Sequence, residues 1–157
     1  MRFQKINQVD KKHITTSYKQ TQKLGEKFAK EILEIPLQNK ALVLGLQGNL
    51  GGGKTTFLQG VAKGLQIKEK ILSPTFVILK RFKILKSNFK NFYHIDCYRL
   101  KDGKDILELN FKEILANPEN IIAVEWPEKI KKVLPKDMAY ISFEFINENK
   151  REIIFKK

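Results

Sequence analysis

The run Gly48-Asn49-Leu50-Gly51-Gly52-Gly53-Lys54-Thr55 satisfies the spacing G-x-x-x-x-G-K-[ST] at every fixed position. Backbone N–H groups can converge on one anion only if the chain turns in conformations that a Cβ blocks, and the successive glycines permit such turns. A helix starting where the turn ends adds unpaired N–H groups and a partial positive charge. This is chemistry for the phosphates of ATP. Lys54 has the charge and reach for the β- and γ-phosphates, and the Thr55 hydroxyl is a ligand for magnesium. The nucleotide-binding stretch is read as Gly48, Asn49, Leu50, Gly51, Gly52, Gly53, Lys54, Thr55 and Thr56.

A P-loop site also needs a carboxylate at the end of a neighbouring strand, to hold the metal or its waters. Glu125 follows the apolar residues Ile121-Ile122-Ala123-Val124, as a central strand would deliver it to the carboxyl edge of a sheet. Asp96 follows Phe92-Tyr93-His94-Ile95, whose polar interruptions suggest a half-exposed strand. Glu125 is therefore assigned with Thr55 to the metal, and Asp96 to a second place near the γ-phosphate, positioning an attacking water. Lys54, Asp96 and Glu125 form the candidate catalytic group, although residue types alone allow the two carboxylates to be exchanged. His94 and Cys97 flank Asp96 and raise the question of zinc. Strand alternation puts Ile95 and Cys97 opposite His94 and Asp96, so these residues do not close a zinc site.

The elements that must carry these residues show in the periodicity. A helix is expected over Ser17–Leu33, with Thr21, Leu24, Phe28 and Ile32 on one face, Thr16 or Ser17 as cap and Pro36 just beyond. Ala41–Leu46 is nearly all apolar, as for a strand covered on both faces. After the glycine-rich turn, Phe57, Leu58, Val61, Ala62 and Leu65 continue as a helix that Gly64 helps to close. Phe76–Leu85 and Phe92–Tyr98 read as a hairpin turning at Lys86-Ser87-Asn88. A short helix is expected over Asp105–Leu115, ended by Asn117-Pro118. In the tail, Ile141, Phe143 and Phe145 alternate with Ser142 and Glu144, and a turn at Asn147-Glu148-Asn149 leads to Ile153-Ile154-Phe155, a second hairpin. The expected fold is α/β: one P-loop NTPase domain over residues 1–157, a mixed central sheet flanked by helices, and antiparallel hairpins in the middle and at the C-terminus.

The 157 residues are 42% hydrophobic and 30% charged, which suits a globular domain and not a disordered chain. No apolar run reaches the length of a membrane span, Met1-Arg2-Phe3-Gln4-Lys5 lacks the apolar core of a secretory signal, and Cys97 is the single cysteine. A cytoplasmic protein without a membrane partner is expected. The net charge of +13 is spread over many separate lysines, among them Lys80, Lys90, Lys131 and Lys156, and is read as a solvated surface before it is read as a nucleic-acid footprint.

Four ordered segments, Gly48–Thr56, Ser73-Pro74-Thr75-Phe76, His94–Leu100 and Ala123–Glu128, together resemble the TsaE (YjeE) family, the ATPase component of the bacterial machinery that makes threonylcarbamoyladenosine in tRNA. The likeness spans about residues 14–155 and departs from the family pattern only mildly, at Asn49 and Gly52. It implies a weak ATPase that uses ATP and magnesium, works with the TsaD and TsaB proteins and reaches tRNA through their complex. It further implies metal ligation by Thr55 and Glu125, a switch-like loop at Ser73, Pro74 and Thr75, and Asp96 in a second switch-like segment. Trp126 would pack close to the site, and Ser17 and Tyr18 would lie near the adenine. A small-molecule kinase is disfavoured because arginine is scarce: Arg2, Arg81, Arg99 and Arg151 are the only four, and only Arg99 lies near a motif. A GTPase lacks its guanine-reading pattern, and a non-catalytic basic RNA-binding module leaves the complete P-loop unexplained.

Overall fold

A computed structural model describes residues 11–72 and 78–156. Seven strands form one sheet in the order β1-β7-β6-β2-β5-β4-β3. They are β1 (Lys12–Thr15), β2 (Leu42–Gln47), β3 (Leu79–Lys83), β4 (Asn91–Asp96), β5 (Asn120–Glu125), β6 (Ala139–Phe145) and β7 (Arg151–Lys156). The centre is parallel, with β2 between β5 and β6 and β4 beyond β5. Both margins are antiparallel: β3 on β4 at one side, β7 on β6 and β1 on β7 at the other. The sheet is therefore mixed, and its hairpins lie at its edges.

The helices are α1 (Tyr18–Leu33), α2 (Lys54–Gly64), α3 (Lys104–Leu107) and α4 (Phe111–Ala116), with a 3₁₀ segment at Pro127–Val133. Apolar side chains leave both faces of the central strands, and each face is covered. Leu42, Leu44 and Leu46 pack with Phe28 of α1 and with Phe57 and Leu58 of α2. Val43, Ile122 and Val124 pack with Ile106, Phe111 and Ile130. This double coverage is why β2 and β5 read as unbroken apolar runs. Ser17 caps α1, its hydroxyl accepting from Gln20 N at 3.2 Å. The buried face of α1 includes Thr21, Leu24, Phe28 and Ile32.

Several expectations need correction. The single helix over Asp105–Leu115 is two short helices, α3 and α4, separated at Asn110 with φ 57°. Ile106 and Phe111 are both buried in the same cluster, yet five residues apart on one helix they would point about 140° from each other. The chain breaks to bury both, at a residue that tolerates the left-handed conformation. Gly64 does not reverse the chain after α2; the left-handed residue is Gln66, with φ 60°. β4 is not half-exposed, because it is flanked on both edges and Phe92 to Ile95 are buried. Its polar residues have partners inside: Asn91 Nδ2 donates to Asn120 Oδ1 at 2.9 Å, and His94 meets Glu125. β1, antiparallel to β7 through Lys12–Thr15, has no counterpart among the expected elements.

Candidate functional site

The parallel strands β2, β4 and β5 end at one edge of the sheet, and the candidate residues collect there. β2 leads into the loop 48–53, in which Gly51 (φ 77°) and Gly53 (φ 98°) are left-handed. Gly53 is also the N-cap of α2, so the helix starts at Lys54, directly behind the turn. The first turn of α2 thus brings its N–H groups and partial positive charge to the same edge.

A cavity of about 660 Å³ opens above this loop. Its floor is Leu50 to Thr56, with Asp96, Glu125 and Trp126 on one side and Ser17, Tyr18 and Thr21 on another. Glu125 is the last residue of β5, Asp96 the last of β4, and the two are paired in register. Thr55 Oγ1 donates to Glu125 Oε1 at 3.4 Å, and Glu125 Oε2 lies 2.7 Å from His94 Nε2. Asp96 Oδ1 accepts from Tyr98 N at 3.0 Å. Gly48 and Asn49 stand behind the floor, where their carbonyls accept from Lys54 Nζ. Tyr18 is exposed at the rim.

Lys54 is not a free surface lysine. Its side chain is buried, its ammonium rests on the Gly48 and Asn49 carbonyls, and Nζ sits 4.5 Å from the centre of the Trp126 ring. Burial lowers its pKa, while the Glu125, Asp96 and Glu128 carboxylates act to raise it. Trp126 reaches this position through a left-handed backbone (φ 59°), sparsely populated for a residue with a Cβ, and its ring packs against Tyr98 at 5.1 Å. His94 and Cys97 diverge as alternation requires: His94 turns to Glu125, and Cys97 is buried with Ile95 and Val124. Ser73, Pro74 and Thr75 lie outside the described residues.

Sequence reasoning missed one wall of the cavity. Glu148, Asn149 and Arg151 from the turn between β6 and β7 line it. Arg151 Nε donates to the Gly51 carbonyl at 3.0 Å, Nη1 donates to the Asn147 carbonyl, and the guanidinium lies over Phe145 at 4.5 Å. An arginine therefore does stand at the loop, a hundred residues from it in sequence. The signal would have been the direction of β6, which runs parallel to β2 and so carries its following turn to the loop's edge.

The donor set suits the expected groups. Left-handed glycines and a helix start make a cradle for phosphate, and a hydroxyl beside a carboxylate offers hard oxygen ligands of the kind magnesium takes. Comparison with known proteins gives a consistent picture. The family model for threonylcarbamoyl adenosine biosynthesis protein TsaE matches residues 15–153. The tRNA threonylcarbamoyladenosine biosynthesis protein TsaE of Rickettsia typhi is 37% identical over 146 residues, covering 92% of this chain and 94% of that one. The protein of the same name from Bacillus subtilis is 36% identical over 113 residues, covering 72% and 68%. The crystal structure of Bacillus subtilis YdiB is similar with a TM-score of 0.68 at 28% identity, over 92% of this chain and 83% of that one.

Proposed function

Because the chain belongs to the TsaE family of tRNA threonylcarbamoyladenosine biosynthesis proteins, we propose that it binds ATP with magnesium, hydrolyses it slowly, and so supports formation of threonylcarbamoyladenosine next to the anticodon, acting with TsaD and TsaB. The observation that carries the proposal is the meeting of Thr55 and Glu125, 3.4 Å apart at the ends of different elements, beside a loop with two left-handed glycines. Thr55 Oγ1 and Glu125 Oε1 would hold the metal. When bound, magnesium neutralises charge on the phosphates.

The chain's own residues supply the rest. Backbone N–H groups of the loop and of the first turn of α2 bind the phosphates, and Lys54 contributes its ammonium once it shifts from the Gly48 and Asn49 carbonyls. The Asp96 carboxylate, held at one oxygen by Tyr98 N, orients water at the edge of the cavity. Arg151 braces the Gly51 carbonyl, and Ser17 and Tyr18 stand where the base leaves the phosphate cradle. Phosphoryl transfer depends on positioning and charge stabilisation, and an arginine tied to backbone carbonyls is poorly placed to stabilise a transferring phosphoryl group. Slow turnover by the chain alone follows, with acceleration when partners complete the site. The net charge of +13 would steer the chain to acidic surfaces or tRNA.

The test is ATP turnover by the purified chain alone, then with TsaD, TsaB and tRNA, across a salt series. Weak activity alone, stimulation by the partners and weaker association at higher salt are expected. Fast turnover by the lone chain, or phosphate delivered to a small molecule in place of water, would overturn the proposal in favour of a kinase.

A further inference from the structure

His94 has no part in the chemistry described so far, yet it makes a short contact to the carboxylate at the centre of it. It lies on β4 two residues before Asp96, and the register pairs it with Ala123 while Asp96 pairs with Glu125. Its Nε2 is 2.7 Å from Glu125 Oε2, with the two side chains only 1% and 4% exposed. An ionised carboxylate only accepts, so the partner assigns the proton to Nε2 and makes His94 the donor. A carboxyl group held at neither oxygen turns about its last bond. Here Oε2 is held by His94, and Oε1 is left facing Thr55 Oγ1 at 3.4 Å.

We infer that His94 is a positioning residue for magnesium: it locks the Glu125 carboxylate so that Oε1 and Thr55 Oγ1 present their oxygens together. This inference rests on the metal reading proposed above. The physical precedent is general, since a donor behind a ligating carboxylate fixes its orientation and its loss costs about 10- to 100-fold in metal affinity. A histidine that only filled space would show no such selectivity for the metal.

Two substitutions separate these roles. In His94→Gln the amide nitrogen falls close to where Nε2 stood, so the donor is kept. In His94→Asn the amide is one carbon shorter and falls away from Glu125. The chain carries a single tryptophan, Trp126, in the cavity wall, and its fluorescence serves as the readout for binding. ATP is titrated first in chelator, then magnesium is titrated at fixed ATP, and thermal unfolding is followed for each variant. Wild type and His94→Gln should need similar magnesium, and His94→Asn about 10- to 100-fold more, with ATP affinity in chelator unchanged in all three. Unchanged magnesium dependence in His94→Asn overturns the inference. So does an equal loss of ATP affinity with and without magnesium, or equal impairment of both variants, because each marks a packing role. If wild type itself shows no magnesium effect on ATP binding, the metal reading at Thr55 and Glu125 fails first and takes this inference with it.

Discussion

The ammonium of Lys54 is enclosed by the Trp126 ring and the Gly48 and Asn49 carbonyls, with 6% of the residue exposed. Nothing in the apolar core depends on that charge, and a methionine retains much of the same shape. Lys54→Met should therefore leave the melting temperature nearly unchanged while ATP affinity falls about 10- to 100-fold, the size expected for lost charged hydrogen bonds. Calorimetry and ATP titration check the two halves separately. The carboxylates should part in the same way. Glu125→Ala leaves the buried His94 Nε2 without its acceptor, which costs about 1–3 kcal/mol, and it should reduce magnesium-dependent turnover by orders of magnitude. Asp96→Ala, at a partly exposed strand end, should lose turnover with little loss of stability. If Asp96→Ala abolishes the magnesium dependence and Glu125→Ala does not, the two assignments are reversed.

α1 and α2 lie so close that backbone meets backbone. A Cβ on Gly60 would stand 1.9 Å from the Gln22 carbonyl oxygen, and one on Gly25 would stand 2.2 Å from that of Phe57. Neither partner is a side chain that can turn aside. Gly60→Ala should thus separate the helices and cost about 3 kcal/mol or more, measured by chemical denaturation. The effect should reach the site, because α1 brings Ser17, Tyr18 and Thr21 to the cavity and α2 begins at Lys54. Weaker ATP binding at a temperature where the variant is still folded is the expected outcome. Unaltered stability would mean that the helices approach less closely in solution.

Coverage of both sheet faces also decides the fate of the one cysteine. Cys97 follows β4 and is fully buried with Ile95, Leu100 and Ile106. Burial, with Asp96, Glu128 and Glu125 nearby, raises its pKa from 9.0 to about 12. The native thiol should resist thiol reagents at pH 8 and react at the ordinary rate once the chain is unfolded in denaturant. The folded chain holds this proton more tightly, so the contribution to stability is complete below pH 9.0 and is lost as pH rises toward about 12. Denaturation midpoints measured between pH 8 and 11 should fall, and rapid modification of the native thiol at pH 8 would show that the packing around Cys97, Ile95 and Ile106 opens.

How much of this was legible in the residues follows from how far apart the deciding partners lie. The turn ahead of α2 needs only its own backbone, the glycines at 51 and 53 and the helix start behind them, so eight consecutive residues sufficed to place it. Both hairpins and the strands β2 and β5 showed in their patterns, because alternation and unbroken apolar runs record how many faces are covered. The break at Asn110 did not show, since it depends on Ile106 and Phe111 sharing one cluster. Nor did Arg151 against Gly51, or His94 against Glu125. Those contacts exist because β6 lies parallel to β2 and β4 parallel to β5, which sends distant turns and strand ends to one edge. Local dihedral preference and periodicity act between near neighbours in the chain, so the sequence by itself determined the glycine-rich turn and most, though not all, of the elements. Which edges meet is settled only when the strands choose their order, and that choice, made by the tertiary structure, assembled the rest of the site.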